Sequence, residues 1–213
     1  MTMKKSSATR RNMLEMTGLT LCSALLGGTA GSVAGEEAGA TSPDFNLEPP
    51  AVASGESRAA QVEWYMRNGL SGGRAVLAVY ADVFHFPREV ALKITGGFSG
   101  GIGHMGEVCG MVIAGAMLLG LKHESANITE KESHKKTIEL TRQFSRDFQE
   151  QYQSVRCREL LQVDLEQLNT PERYAKAHED GTFDVCFQGA NTIADLLENK
   201  YDIFDRNNKE NTL

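Results

Sequence analysis

The chain has 213 residues and carries 22 lysines and arginines against 28 aspartates and glutamates, for a net charge of −6 at neutral pH. An acidic chain without a basic stripe excludes a nucleic-acid binder that works by neutralising phosphates. Its four cysteines form neither a CxxC pair nor a CxxCH motif, so covalent haem attachment is not expected.

The N-terminus begins with a basic head, Lys4, Lys5, Arg10 and Arg11, followed by a modestly apolar segment from Met16 to about Val33. Small residues at Ser32-Val33-Ala34 suit a signal peptidase. The order "TRRNML", paired arginines with Met13-Leu14 two residues on, resembles a twin-arginine export signal. That resemblance implies delivery to the periplasm of an already folded protein, often one loaded with a cofactor. The segment is rich in Gly, Ser and Thr and lacks the ~20 strongly apolar residues of a bilayer span, so no membrane anchor is expected after cleavage. Cys22 sits inside this leader behind Leu21, where a lipid-anchored cysteine would need a small neighbour. Removing residues 1–34 takes away four basic residues and one acid and leaves a net charge of −9. Residues 35–57, rich in Gly, Ala, Pro, Ser and Glu, read as a flexible linker.

The remainder, residues 58–205 with a polar tail at 206–213, reads as one all-α domain of six to seven helices. A short amphipathic helix over 58–68 stops at Gly69. A second, over 71–84, sets Ala75, Val76, Val79 and Val83 on one face. Pro87 opens a third, which Gly96-Gly97 close. The fourth, over 106–121, has no charge from Val108 onward and is too short to span a bilayer, so it is expected to be buried on all sides. The fifth, over 129–152, begins with a capping-box pattern of Thr129 and Glu132. Its Leu140, Phe144, Phe148 and Tyr152 recur every four residues, giving one packed face. Thr170, Pro171 and Gly181 mark a sixth helix as cap, first turn and stop. The last, over 184–204, buries Ala190, Ile193, Ala194 and Leu197. No stretch alternates long enough for a sheet strand.

The glycine-rich stretch "ITGGFSGGIGHMGEVCG" opens the fourth helix. A phosphate cradle is the first reading of such a loop. Against it, no GK[ST] follows, no strand precedes, and Glu107 stands where the phosphate would sit. Cys109 falls in the first turn of the helix, where the dipole favours a thiolate. With the leader gone, Cys109, Cys157 and Cys186 remain, an odd number that cannot pair fully within one chain. All three lie near helix ends, and three converging sulfurs suit a soft metal or an iron–sulfur cluster. His104, His85 and Glu107 are candidates for a fourth ligand.

The succession "GGFSGGIG…CG…GAMLLGLK", "FSRDFQEQYQSVRCRELLQVDL" and "DVCFQGANTIADLLE" resembles the C-GCAxxG-C-C family of redox-active proteins, which is itself similar to part of the split-Soret cytochromes. The resemblance covers roughly residues 59–198 and carries three family cysteines onto Cys109, Cys157 and Cys186. The family's first cysteine falls at Gly72, and Ala114-Gly115 stand where glycine then alanine is usual. The resemblance therefore implies a three-thiolate site. Cys109, Cys157 and Cys186 are its expected metal ligands, and Gly100, Gly101 and Gly103 are expected to wrap the bound group. The expected function is an exported redox protein that binds an iron–sulfur cluster or other soft metal in electron transfer. The alternatives are a thiol–disulfide or metal-trafficking protein without a permanent cofactor, and a helical binding module with structural cysteines. The redox partner is unspecified, and a homodimer is left open.

Overall fold

The computed structural model describes residues 48–53, 56–168 and 170–204. The expected leader, most of the expected linker and the tail 206–213 lie outside the described residues. Among the described residues eight α-helices follow one another: α1 (Ala59–Arg67), α2 (Gly72–Tyr80), α3 (Arg88–Thr95), α4 (Gly110–His123), α5 (Lys131–Tyr152), α6 (Cys157–Leu161), α7 (Pro171–Glu179) and α8 (Asp184–Asp195). Among the described residues there is no strand, only a single antiparallel bridge between Val108 and Arg156. The fold is all-α, as the patterning led us to expect. None of the described helices is long and apolar enough to cross a membrane.

Helix α4 is the axle. It packs against α2, α5 and α8, and none of its residues is exposed. Its small residues let neighbours come close. A Cβ on Gly115 would stand 2.2 Å from Cζ of Phe144 on α5, so that ring occupies the space a larger residue would need. On α5 the four-residue recurrence holds: Phe144 and Phe148 are fully buried, with Leu140 and Tyr152 packed at the edge of the core. Ala190, Ile193, Ala194 and Leu197 are likewise fully buried. Helix α2 exceeds expectation, since every residue from Ala75 to Tyr80 is buried rather than one stripe.

Several boundaries move for identifiable reasons. The 71–84 segment leaves the α-helix at Tyr80 and tightens into a 3₁₀ turn, Ala81–Phe84, that ends on left-handed His85. The last helix ends at Asp195 and widens into a π turn, where the Tyr201 amide donates to the Leu196 carbonyl at 2.9 Å. The expected capping box does not form. The Thr129 hydroxyl donates to Asn127 Oδ1 at 2.8 Å, and α5 starts two residues later without a side-chain cap. Thr170 does cap α7, accepting from the Arg173 amide, with Pro171 in the first turn. Helix α6 is the one element that the sequence pattern does not separate.

The buried Asp147 ties the end of the fold to α5. It accepts from Gln143 Nε2 at 2.9 Å and from the Tyr201 hydroxyl at 2.6 Å, and it pairs with Lys200 Nζ at 2.7 Å. Burial alone would raise its carboxyl, but these three donors together hold it below the ordinary carboxylate value. At the other end Glu48 pairs with Arg88 at 3.0 Å, so this part of the expected linker lies against the helical body.

Candidate thiol site

The glycine loop has a specific conformational job. Gly100, Gly101, Ile102, Gly103, His104 and Gly106 all have positive φ, so the chain winds left-handed through this segment. Only glycine does this without steric cost, and a β-branched residue such as Ile102 at φ 62° carries strain of ~1–2 kcal/mol. The turn is closed by long backbone hydrogen bonds: Gly103 N–H to Gly97 C=O at 2.9 Å, Gly106 to Gly100 at 3.0 Å and Glu107 to Gly101 at 3.0 Å.

Winding back on itself, the loop delivers residues 107–109 as a short extended stretch beside 155–157. Across the bridge, the Cys109 amide donates to the Val155 carbonyl at 2.7 Å, and the Cys157 amide donates to the Glu107 carbonyl at 2.8 Å. Both cysteines therefore project to the face opposite Val108 and Arg156, and each stands at the start of a helix. Cys109 is the N-cap of α4 rather than a member of its first turn, a correction that follows from the bridge, which keeps 107–109 extended. Cys157 is the first residue of α6. Arg158 clamps the junction. Its guanidinium donates to the Met105 carbonyl at 2.6 Å and the Gly106 carbonyl at 3.2 Å, and it pairs with Glu107.

Each of the two thiols shifts the ionisation of the other. The Cys157 thiol is the main influence holding the Cys109 thiol below its ordinary pKa; burial opposes it, and the Met111 and Val112 amides of α4 add to the lowering. Cys157 moves the other way. Sharing its proton with Cys109 pushes it up, burial and the charges of Cys109 and Cys186 add, and the Gly110 amide opposes. Cys186, the third residue of α8, is pushed up to about 12 by burial, with the Cys109 charge adding. Of the pair, Cys109 is thus the thiol that ionises more readily.

All three cysteines line one cavity of about 390 Å3. Gly72 and Gly100 are in its wall, whereas Gly101 and Gly103 are not; those two shape the loop behind it. His104 is at the mouth and exposed. His85 is elsewhere, and Glu107 is engaged by Arg156 and Arg158. Sequence reasoning missed Met111, which also lines the cavity. A Cβ on Gly72 would meet Met111 Cγ at 2.6 Å and Sδ at 2.7 Å, so this methionine fills the space a side chain at residue 72 would take.

A family model described as "Putative redox-active protein (C_GCAxxG_C_C)" matches residues 73–200, more than half of the chain. The chain belongs to the C_GCAxxG_C_C family. All three cavity cysteines fall within the matched span, which begins one residue after Gly72. No curated protein and no solved structure matches the chain.

Burial of Cys186 has a measurable consequence. Its folded-state pKa of about 12 lies above the ~8.5 of an unfolded thiol. Its contribution to stability is therefore complete below that unfolded value and is lost as the pH rises toward the folded one. Under reducing conditions, the stability gap between wild type and Cys186→Ala should narrow from pH 8 to pH 10.5 in urea unfolding. A gap independent of pH would mean that the thiol is not shielded from water.

Proposed function

We propose that the protein is a thiol–disulfide redox protein whose working pair is Cys109 and Cys157. The observation that carries this reading is the meeting of two helix starts across the Val108–Arg156 bridge, which brings the two cysteines together, with Cys109 the more readily ionised. Cys109 is the attacking thiolate, and Cys157 is the resolving thiol. Loss of two electrons and two protons joins them as a disulfide, and reduction restores the dithiol. Cys186 stays free in both states. Mild oxidation of the reduced protein should give a Cys109–Cys157 disulfide in peptide mass mapping, with Cys186 still open to alkylation on unfolding. A disulfide to Cys186 as the main product would overturn the assignment.

Three thiols on one cavity also favour a second reading, a soft metal ion or iron–sulfur cluster. The donors suit such a group in kind. Their arrangement fits it less well, because among the described residues no three His, Cys, Asp or Glu side chains are grouped so as to hold a metal ion. We therefore route no step through it. Protein purified without oxygen distinguishes the two readings. Colourless, metal-free protein supports the dithiol, whereas visible absorption and bound metal, both lost in Cys109→Ser, support the cluster.

We place this chemistry outside the cytoplasm, on the strength of the Arg10-Arg11 leader. Replacing both arginines by lysine keeps the charge but not the receptor-read pair, and should leave the precursor in the cytoplasm. Normal periplasmic delivery of that double variant would refute the twin-arginine route.

A further inference from the structure

The sulfur atoms of the pair are deeply set. Cys109 is 4% exposed and Cys157 is 7% exposed, so a large disulfide on a folded protein cannot reach them from the surface. The way in is the cavity of about 390 Å3, a volume suited to a compact small molecule. Its walls carry no aspartate, glutamate or lysine. The single arginine there, Arg67, is already bonded to Glu63 at 2.6 Å and stacked over Phe187 at 4.7 Å. Apart from the histidines His104 and His178, the wall offers no uncommitted cation to a carboxylate, and the chain's net negative charge opposes an anion further. One side of the mouth is built from three rings in mutual contact. Tyr174 lies 5.0 Å from His178 and 5.1 Å from Phe183, and His178 lies 4.5 Å from Phe183, centroid to centroid. Tyr174 and His178 are exposed, so their faces are open to an entering ring.

We propose that the oxidant of the Cys109–Cys157 pair is a small, uncharged disulfide bearing an aromatic ring, which stacks on the Tyr174–His178–Phe183 cluster. The proposal rests on the thiol–disulfide reading above and supplies its substrate class. In the first step the Cys109 thiolate attacks one sulfur of the substrate R–S–S–R. A Cys109–S–S–R bond forms, the substrate S–S bond breaks, and one RS⁻ departs. In the second step Cys157 gives up its proton and attacks the Cys109 sulfur, forming the Cys109–Cys157 disulfide and releasing the second RS⁻. Two electrons pass from the protein to the substrate, which leaves as two RS⁻; the Cys157 proton converts one to thiol, and solvent protonates the other.

The test uses reduced, oxygen-free full-length protein with three oxidants: 2,2′-dithiodipyridine (neutral and aromatic), glutathione disulfide (small and anionic), and a disulfide-bonded protein. Each rate is divided by the rate of the same oxidant with a free low-molecular-weight thiol, to remove intrinsic reactivity. The normalised rate should be highest for dithiodipyridine and should saturate with concentration, with Cys109–Cys157 as the mapped product. Tyr174→Ala and His178→Ala, both at exposed positions, should each raise the half-saturating concentration for dithiodipyridine by up to about tenfold, the value of one ring contact, and lower the ratio of the dithiodipyridine rate to the glutathione disulfide rate. Equal or faster normalised reaction with glutathione disulfide or the protein would overturn the substrate class and leave the thiol pair standing. So would an unchanged half-saturation in both ring variants. Failure of all three oxidants to produce a Cys109–Cys157 disulfide would instead overturn the thiol reading itself.

Discussion

Gly101→Ala should cost about 4 kcal/mol and separate the two working thiols. The residue has φ 72°, which alone costs an alanine ~1 kcal/mol. Steric overlap costs more. A Cβ there would stand 2.4 Å from the Glu107 carbonyl oxygen, 2.6 Å from its nitrogen and 2.8 Å from its carbonyl carbon. These are backbone atoms, and no rotamer change relieves them. The Glu107 carbonyl also accepts from the Cys157 amide, so displacing it loosens the bridge that aligns Cys109 with Cys157. Two readouts should therefore move together: the urea midpoint should fall, and the pH midpoint for alkylation of Cys109 should rise as the Cys157 thiol withdraws. Gly103→Ala is the control. Its φ is 60°, but its Cβ would meet nothing within 4 Å, so it should cost only the conformational ~1 kcal/mol and leave the Cys109 profile unchanged. Equal losses for the two variants would show that loop closure on Glu107 does not hold the site together.

This contrast separates what the sequence carries from what it does not. Glycine density at 96–106 is legible as a loop. Which glycines wind left-handed, and which meet a neighbouring backbone, depends on hydrogen bonds such as that of Gly106 to Gly100 and on the clamp from Arg158. The burial of α4 is legible because no residue of its apolar run could face water alone. Its starting point is not, because residues 107–109 stay extended only by pairing with 155–157, a partner some fifty residues away. The same long-range pairing explains α6, since a five-residue helix has no periodicity of its own to detect. At Thr129 the local signal was present but lost to a competitor, the side chain of Asn127. Cys109, Cys157 and Cys186 are legible as candidates by residue type and by the family order. The difference between them is not, because Cys109 becomes the more acidic thiol only with Cys157 beside it. The aromatic mouth is likewise a product of tertiary structure, with Tyr174 and Phe183 contributed from α7 and the turn before α8.

Gly72→Cys, at the position where the resemblance puts the family's first cysteine, should be destabilising by about 2–3 kcal/mol unless Met111 is removed with it. The new Cβ would overlap Met111 Cγ at 2.6 Å and Sδ at 2.7 Å. A methionine usually gives way, but this one is 3% exposed, and its methyl carbon lies 3.1 Å from where a Cβ on Gly189 would stand, so retreat toward α8 is limited. Met111→Ala alone should cost ~3 kcal/mol, because it opens a void between α4 and its neighbours. Combined, the two changes share one space: the introduced thiol occupies part of the volume that the thioether vacates. The double variant should therefore be less damaged than the sum of the singles by about 1–2 kcal/mol, a coupling readable in a urea double-mutant cycle. Losses that simply add would mean that Met111 does not fill the space a side chain at residue 72 would take. The physical content of a positive result is that glycine at residue 72 and methionine at residue 111 are one packing solution. A reversion at residue 72 then requires a compensating change on α4, and only the pair of changes places a fourth sulfhydryl on the wall of the cavity that holds Cys109, Cys157 and Cys186.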